Sequence, residues 1–346
     1  MNNYKKKFLV FLLLYLMSSC SSLPSFPSSA QFNNENKTFN NSDGSQNNKN
    51  FKDFIFLLKE YINRPFDIRE KSGFKILNNN KKKKVEKKTI RWIGHSTLLL
   101  EYENIRILTD PVFSYRASPF SFLGPKRLAK PGIEITDLPK IDIILISHNH
   151  YDHLDIKSLK KINKIQKNIY YFVPLGLKNL LKENGIKNVY ELDWWASRKY
   201  KNISVTSTPA HHWSARSLFD RNKTLWCGWM VKIKNFRFYF MGDSGYSNDF
   251  KEIKKKLGSP NLSAIPIGSY APREFMKYSH INPYEAIKIF NDLNTEKAIA
   301  IHWGTFKLST EPLDEPPREI KKLLKLNKID EERFLILKHG EVKKIN

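Results

Sequence analysis

The chain has 346 residues, room for one large domain or two small ones. Hydrophobic residues make up 40% and aromatics 13%, which excludes a wholly disordered chain, because disorder requires too little apolar surface to offset ordering entropy. The formal net charge of +25 favours an anionic partner (nucleic acid, acidic lipid or a phosphorylated substrate) without choosing among them, and a bias towards Lys and Asn accounts for much of it. With only Cys20 and Cys227, a disulfide scaffold and a four-cysteine zinc module are both excluded.

The first twenty residues read as an address. Lys5-Lys6-Lys7 precedes the apolar run Phe8 to Met17, and Ser18-Ser19-Cys20-Ser21 follows. A basic start, a short apolar stretch and small residues describe a bacterial export signal. The run is too short for a membrane span, which needs about 20 apolar residues. Leu16-Met17-Ser18-Ser19-Cys20 resembles the lipobox of bacterial lipoproteins, which implies cleavage before Cys20, lipid attached to that cysteine and a membrane-anchored protein. The alternative is a plain secretory signal and a secreted or periplasmic protein.

Residues 21–50 are rich in Ser, Asn and Pro with almost no aliphatic side chains, and are expected to form a flexible tether. Phe51 to Ile62 places Phe54, Leu58, Tyr61 and Ile62 on one helical face, which caps the main core or lies on a membrane. A linker with six lysines between Lys81 and Lys88 completes the segment 51–88. From Thr89 to Asn346 the texture is that of one domain of short strands, turns and helices.

Ile141 to Ile146 is a near-continuous aliphatic run, as expected of a strand covered on both faces. Ser147-His148-Asn149-His150-Tyr151-Asp152-His153-Leu154 follows at once, so an HxHxDH motif lies in the loop leaving the strand's carboxyl end. Ligand sites of α/β proteins gather at such ends. Three imidazoles and a carboxylate in one loop are a metal-ligand set, and nitrogen and oxygen donors suit zinc.

The same order recurs three times. Ile203 to Ser207 runs into Thr208-Pro209-Ala210-His211-His212-Trp213, Phe236 to Met241 into Gly242-Asp243-Ser244-Gly245, and Ala298 to Ile301 into His302-Trp303-Gly304. Together these supply a third imidazole for one metal, a bridging carboxylate and another imidazole for a second metal. Either His211 or His212 meets that need on spacing alone.

HxHxDH followed by His, Asp and His at strand ends resembles the ligand set of the metallo-β-lactamase fold superfamily. Trp92-Ile93-Gly94-His95, Leu108-Thr109-Asp110-Pro111, Leu192-Asp193-Trp194-Trp195, Lys277-Tyr278-Ser279-His280 and Ile301-His302-Trp303-Gly304-Thr305-Phe306 resemble one branch more closely, the N-acylphosphatidylethanolamine-hydrolysing phospholipase D family. The resemblance covers roughly residues 89–320 and implies an αββα sandwich of two mixed β-sheets flanked by helices, an α/β layered fold. It implies two Zn2+ per chain: one on His148, His150 and His212, the other on Asp152, His153 and His302, with Asp243 bridging. His212 is selected because the family's ligand directly precedes the tryptophan, here Trp213. Tyr151 and His280 match positions that contact the phospholipid, while Asp110 and His95 match residues behind the ligands.

The implied reaction is hydrolysis of a phosphodiester in a membrane phospholipid by a metal-activated water. Asp152 orients that water or takes its proton, and His280 steadies the phosphate or protonates the leaving group. The partners expected are the phospholipid and a membrane surface. No nucleic acid is expected, because an export signal argues against a nuclease, and a homo-oligomer stays open. Hydrolysis of a lactone, thioester, β-lactam or soluble phosphodiester is the competing activity on the same fold. A non-catalytic metal-binding surface lipoprotein is disfavoured by the complete set of seven candidate ligands.

Overall fold

A computed structural model describes residues 25–47, 55, 56, 59 and 88–345. The export segment with Cys20 and most of the linker lie outside the described residues; of the amphipathic stretch, Ile55, Phe56 and Lys59 are described, as helix.

Residues 25–47 depart from the expected tether. They fold back as a hairpin, β1 (Phe32–Asn33) against β2 (Thr38–Phe39). The segment lacks aliphatic side chains but carries Phe26, Phe32 and Phe39, whose ring centroids lie 5.0 to 5.6 Å apart and which join the main core. Polar groups along it bond to the domain: the Phe39 N–H donates to the Asn222 carbonyl at 2.7 Å, and Ser42 Oγ donates to Asp249 at 2.7 Å. Two buried rings, a third packed against them and matched polar groups are enough to hold a segment whose average composition looks disordered.

The domain is built from alternating side chains that face two different cores. The first sheet runs β3 (Lys88–Gly94), β4 (Thr97–Tyr102), β5 (Ile105–Thr109), β6 (Ile143–Leu145), β7 (Tyr170–Pro174), β8 (Val189–Leu192). The second is made of β9 (Ser197–Tyr200), β10 (Ile203–Thr208), β11 (Gly228–Ile233), β12 (Phe236–Phe240), β13 (Leu262–Pro266), β14 (Lys297–Ile301) and β15 (Phe334–Leu335), again in chain order. β16 (Val342–Lys344) returns beside β3. Each sheet is mixed, with antiparallel hairpins on one side and parallel strands on the other.

Period-two alternation sorts the first sheet's residues. Trp92, Leu98, Leu100, Ile107, Ile143, Leu145 and Phe172 face the second sheet, where Trp229, Val231 and Phe238 join the same core. Ile93, Leu99, Leu108, Ile144, Tyr171 and Val173 face outward, under Leu159 and Ile162 of α1 (Ile156–Ile165) and Leu181 of α2 (Lys178–Glu183). This explains the continuous aliphatic run at 141–146. The outer side of the second sheet is covered by α3 (Asp249–Leu257), α5 (Pro283–Asp292) and α6 (Glu315–Leu326), with the short α4 (Arg273–Met276) between. The result is an αββα sandwich. Among the described residues no helix is long and apolar enough to cross a membrane.

Candidate metal centre

The chemistry-bearing side chains, all but His280, sit where strands end. The loop Ser147–Leu154 leaves β6, His212 follows β10, Asp243 follows β12, His302 follows β14 and Asp110 follows β5; His95 occupies the β3–β4 turn and His280 follows α4. Arg216 clamps the first loop, donating from its guanidinium to the carbonyls of Asn149 at 2.6 Å and Leu154 at 2.8 Å. His95, Asp110 and His302 have φ of 54°, 31° and 62°, a left-handed backbone that turns the chain sharply at the sheet edge and strains a non-glycine residue by about 1–3 kcal/mol.

Three imidazole nitrogens meet at one point. His148 Nε2 lies 2.8 Å from His150 Nδ1, which lies 3.3 Å from His212 Nε2. One proton can bridge two such nitrogens but not three, whereas one cation accepts all three lone pairs. Burial and the neighbouring rings hold His148 and His150 well below the usual imidazole range, and burial takes His212 down to about 4. All three are therefore neutral donors at pH 7.

A second group lies beside the first. Asp152 Oδ2 is 3.3 Å from His153 Nε2, 3.5 Å from His302 Nε2 and 2.9 Å from His95 Nε2. Asp243 Oδ2 stands between the groups, 3.1 Å from both His153 Nε2 and His302 Nε2, 4.0 Å from His212 Nε2 and 3.8 Å from His280 Nδ1. Burial opposes charge here, yet Asp243 and Asp152 raise His153 well above its ordinary value and Asp243 leads in raising His302 to about 9. Against the same burial, His153 first and other histidines hold both carboxylates well below the carboxylate range.

The residues fit divalent cations. His150 Nε2, His153 Nε2, both ring nitrogens of His302 and Asp243 Oδ1 are buried without a hydrogen-bond partner, and each orphan of this kind costs about 1–3 kcal/mol. Metal coordination through nitrogen and carboxylate oxygen accounts for most of them together. The candidate clusters His148–His150–His212 and Asp152–His153–His302, the latter with His95, are each tight enough to hold an ion.

Partners behind the clusters set ring orientation. Asp110, fully buried, accepts from His153 Nδ1 at 2.7 Å. His95 is neutral, driven to about 3 by burial and then by His302, so its Nε2–H donates to Asp152. The adjacent pair His211-His212 resolves by direction: His211 turns to the carbonyl of Tyr278 and to Asp43 and Ser45, while His212 turns to the cluster. His280 reaches the site with its side chain 14% exposed. Tyr151 is half-buried under the Arg216 guanidinium, 3.9 Å from its ring, and its hydroxyl donates to the Arg216 carbonyl. Sequence reasoning assigned no role to Ser147, whose hydroxyl donates to Asp110 at 2.6 Å; its place between a buried strand and HxHxDH was the available signal. Asn41, which accepts the His212 N–H at 2.9 Å, had none.

Comparison with known proteins identifies relatives in sequence and fold. Residues 105–303 match the family model described as a β-lactamase superfamily domain. The chain is 42% identical over 263 residues to N-acyl-phosphatidylethanolamine-hydrolyzing phospholipase D 1 of Caenorhabditis elegans, covering 72% of this chain and 74% of the worm protein. It is 41% identical over 239 residues to the mitochondrial N-acyl-phosphatidylethanolamine-hydrolyzing phospholipase D of Saccharomyces cerevisiae, covering 67% of this chain and 51% of the yeast protein. A solved structure described as a possible metal-dependent hydrolase from Veillonella parvula shares the fold, with a TM-score of 0.62 at 18% identity over 75% of this chain and 100% of that one.

Proposed function

This chain belongs to the N-acylphosphatidylethanolamine-hydrolysing phospholipase D family of the metallo-β-lactamase fold superfamily, and from that membership we propose that it is a dizinc phospholipase D-type phosphodiesterase. Its model reaction converts N-acylphosphatidylethanolamine and water to phosphatidic acid and an N-acylethanolamine. The observation that carries this reading is the convergence of His148, His150 and His212 on one side of Asp243 and of Asp152, His153 and His302 on the other. We place one zinc on each group, with Asp243 shared. Bound there, the two cations supply a water of lowered pKa and positive charge for the phosphate oxygens.

The chain's own groups do the rest. Asp152 stays ionised and accepts the proton that the attacking water gives up, while the His95 Nε2–H holds its carboxylate in one direction. His280 is neutral, because burial lowers its pKa, and is accessible from the cleft. It donates a ring N–H to a phosphate oxygen as the bond between phosphorus and the ethanolamine oxygen breaks, and the departing alkoxide takes up the proton that Asp152 had accepted, which restores the carboxylate and releases the N-acylethanolamine. Tyr151, within the HxHxDH loop, lines the approach.

The same proposal places the protein at a membrane, held by lipid on Cys20. Ser25 follows Cys20 by five positions, so the folded domain would begin within about 17 Å of the anchored cysteine. Labelled fatty acid incorporated by the wild type and lost in Cys20→Ala tests the anchor.

The activity is tested with the chain from Ser21 onward, loaded with zinc and incubated with vesicles containing N-acylphosphatidylethanolamine. Phosphatidic acid and N-acylethanolamine, identified by mass spectrometry and absent with His148→Ala and Asp243→Ala, are the expected products. A chain that holds two metals and turns over no lipid overturns the phospholipase reading and leaves hydrolysis of a lactone, thioester or soluble phosphodiester.

A further inference from the structure

We propose that residues 25–47 are a clasp that positions the metal centre from outside the catalytic domain, with Asn41 as its central positioning residue. The segment precedes residues 105–303, the part that matches the family model. Its contacts converge on the two loops that carry His212 and His280.

Asn41 is 2% exposed. Its Oδ1 accepts two N–H groups, the backbone of His212 at 2.9 Å and the indole of Trp226 at 3.1 Å. The His212 ring is held on its other side by the Ser279 carbonyl, which takes Nδ1–H at 2.9 Å and leaves Nε2 as the free lone pair. The Ser279 side chain in turn accepts from Nδ2 of Asn47, which is 6% exposed. The clasp therefore grips both the backbone of this imidazole and the residue whose carbonyl sets its tautomer.

Two further contacts act on the same region. The Asn47 carbonyl accepts from the Arg221 guanidinium, which lies 4.4 Å above the Trp213 ring, and Trp213 meets the His150 ring edge-on at 4.3 Å. Asp43 and Ser45 each lie 3.2 Å from His211 Nε2, whose Nδ1 bonds the Tyr278 carbonyl at 2.8 Å. Phe26, Phe32 and Phe39 fasten the clasp to the core, so that these polar ends sit at fixed positions.

A simple hydrophobic cap would need the phenylalanines alone. Here two buried amides end on the His212 backbone N–H and the Ser279 hydroxyl, and an unpaired His212 N–H would draw the loop elsewhere. The inference rests on His212 being a metal ligand but not on the identity of the substrate.

The test uses the full chain with Zn2+ as probe and a competing chromophoric chelator as readout. Asn41→Leu is expected to lower zinc affinity about 10- to 100-fold, the usual effect of losing a partner behind a ligand. Asn41→Asp, which keeps an acceptor oxygen, should restore most of it. Melting of the metal-free protein separates positioning from bulk stability: unchanged zinc affinity with a lowered metal-free melting temperature makes the segment a cap and overturns the proposal. If Asn41→Leu does not fold, Asn47→Ala is read in the same way. Failure of both to fold overturns the proposal too, since the segment would then belong to the global core. A wild type that binds no zinc sinks the metal centre and this inference together, whereas one that binds zinc without cleaving lipid leaves the inference standing.

Discussion

Asp110 reaches His148 through a single hydroxyl. Ser147 Oγ donates to Asp110 Oδ2 at 2.6 Å and lies 2.9 Å from His148 Nδ1, so its lone pair accepts that ring's N–H. The same Asp110 oxygen accepts from His153 Nδ1 at 2.7 Å. One buried carboxylate thus sets both imidazoles to present Nε2, one in each metal group.

Ser147→Ala should weaken the His148 group alone, and Asp110→Asn should weaken both. The expected loss is about 10- to 100-fold in affinity. Titration with limiting zinc, followed by counting retained metal per chain, separates the two patterns. Equal retention in wild type and Asp110→Asn would show that the carboxylate does not orient the ligands.

Gly242 must be glycine for two reasons at once. Its φ is +65°, and an added Cβ would lie 2.7 Å from the Cβ of Ser147. Gly242→Ala should therefore combine the left-handed penalty with an overlap, about 2–4 kcal/mol together. Gly185, at φ +81° with open space around it, provides the control, since Gly185→Ala should cost only the conformational part, about 1–2 kcal/mol. Urea unfolding of the metal-free proteins measures the difference, and equal losses would contradict the close approach.

Stripping the metal should take up protons. His302 titrates at about 9 in the metal-free chain and His153 is raised as well, so both are charged at pH 7.5, whereas a metal-bound imidazole must be unprotonated. Zinc affinity should rise with pH until about 9. For the metal-free chain the sign reverses: the charged form of His302 stabilises the fold below 6.5, and that contribution is lost as pH rises through 9. Adding chelator in a weakly buffered indicator solution reads the uptake. A proton-neutral response would refute the assignment of these two histidines.

His339 is expected to make the fold acid-sensitive away from the metals. Burial, and then Arg127, lower it to about 3, and its Nε2 bonds Thr305 Oγ1 at 2.9 Å beneath the Trp92 ring. It stays neutral in the fold but would charge once unfolded, so stability falls as pH drops from 6.5 towards 3. The slope is about 1.4 kcal/mol per pH unit for one proton. His339→Gln should reduce the measured slope by that amount across this window, whatever it does to stability at pH 7.

Much of the site is legible along the chain because the candidate ligands follow strands, four of them in the one loop after β6. Ile141–Ile146 before HxHxDH, Phe236–Met241 before Asp243 and Ala298–Ile301 before His302 are local patterns, and a sandwich brings such strand ends to one edge. Residues 25–47 look like a tether in sequence for a matching reason. Composition averaged over the stretch hides Phe26, Phe32 and Phe39, which pack into a core contributed by residues far along the chain.

Local order along the chain determined which residue types would gather at strand ends, since periodicity and strand-then-ligand spacing are properties of neighbours in sequence, while the sandwich itself came from the family resemblance. Tertiary structure decided direction and support: spacing left His211 and His212 open and only the resemblance favoured His212, whereas the packed chain turns His212 to the cluster and His211 to Asp43, lets Ser147 relay Asp110 to His148, and has Asn41 hold a candidate ligand loop 171 positions away. Adjacent side chains on a turning backbone can point to opposite places, and a hydrogen bond across that separation is set by how the sheets and the clasp pack, not by any period in the chain.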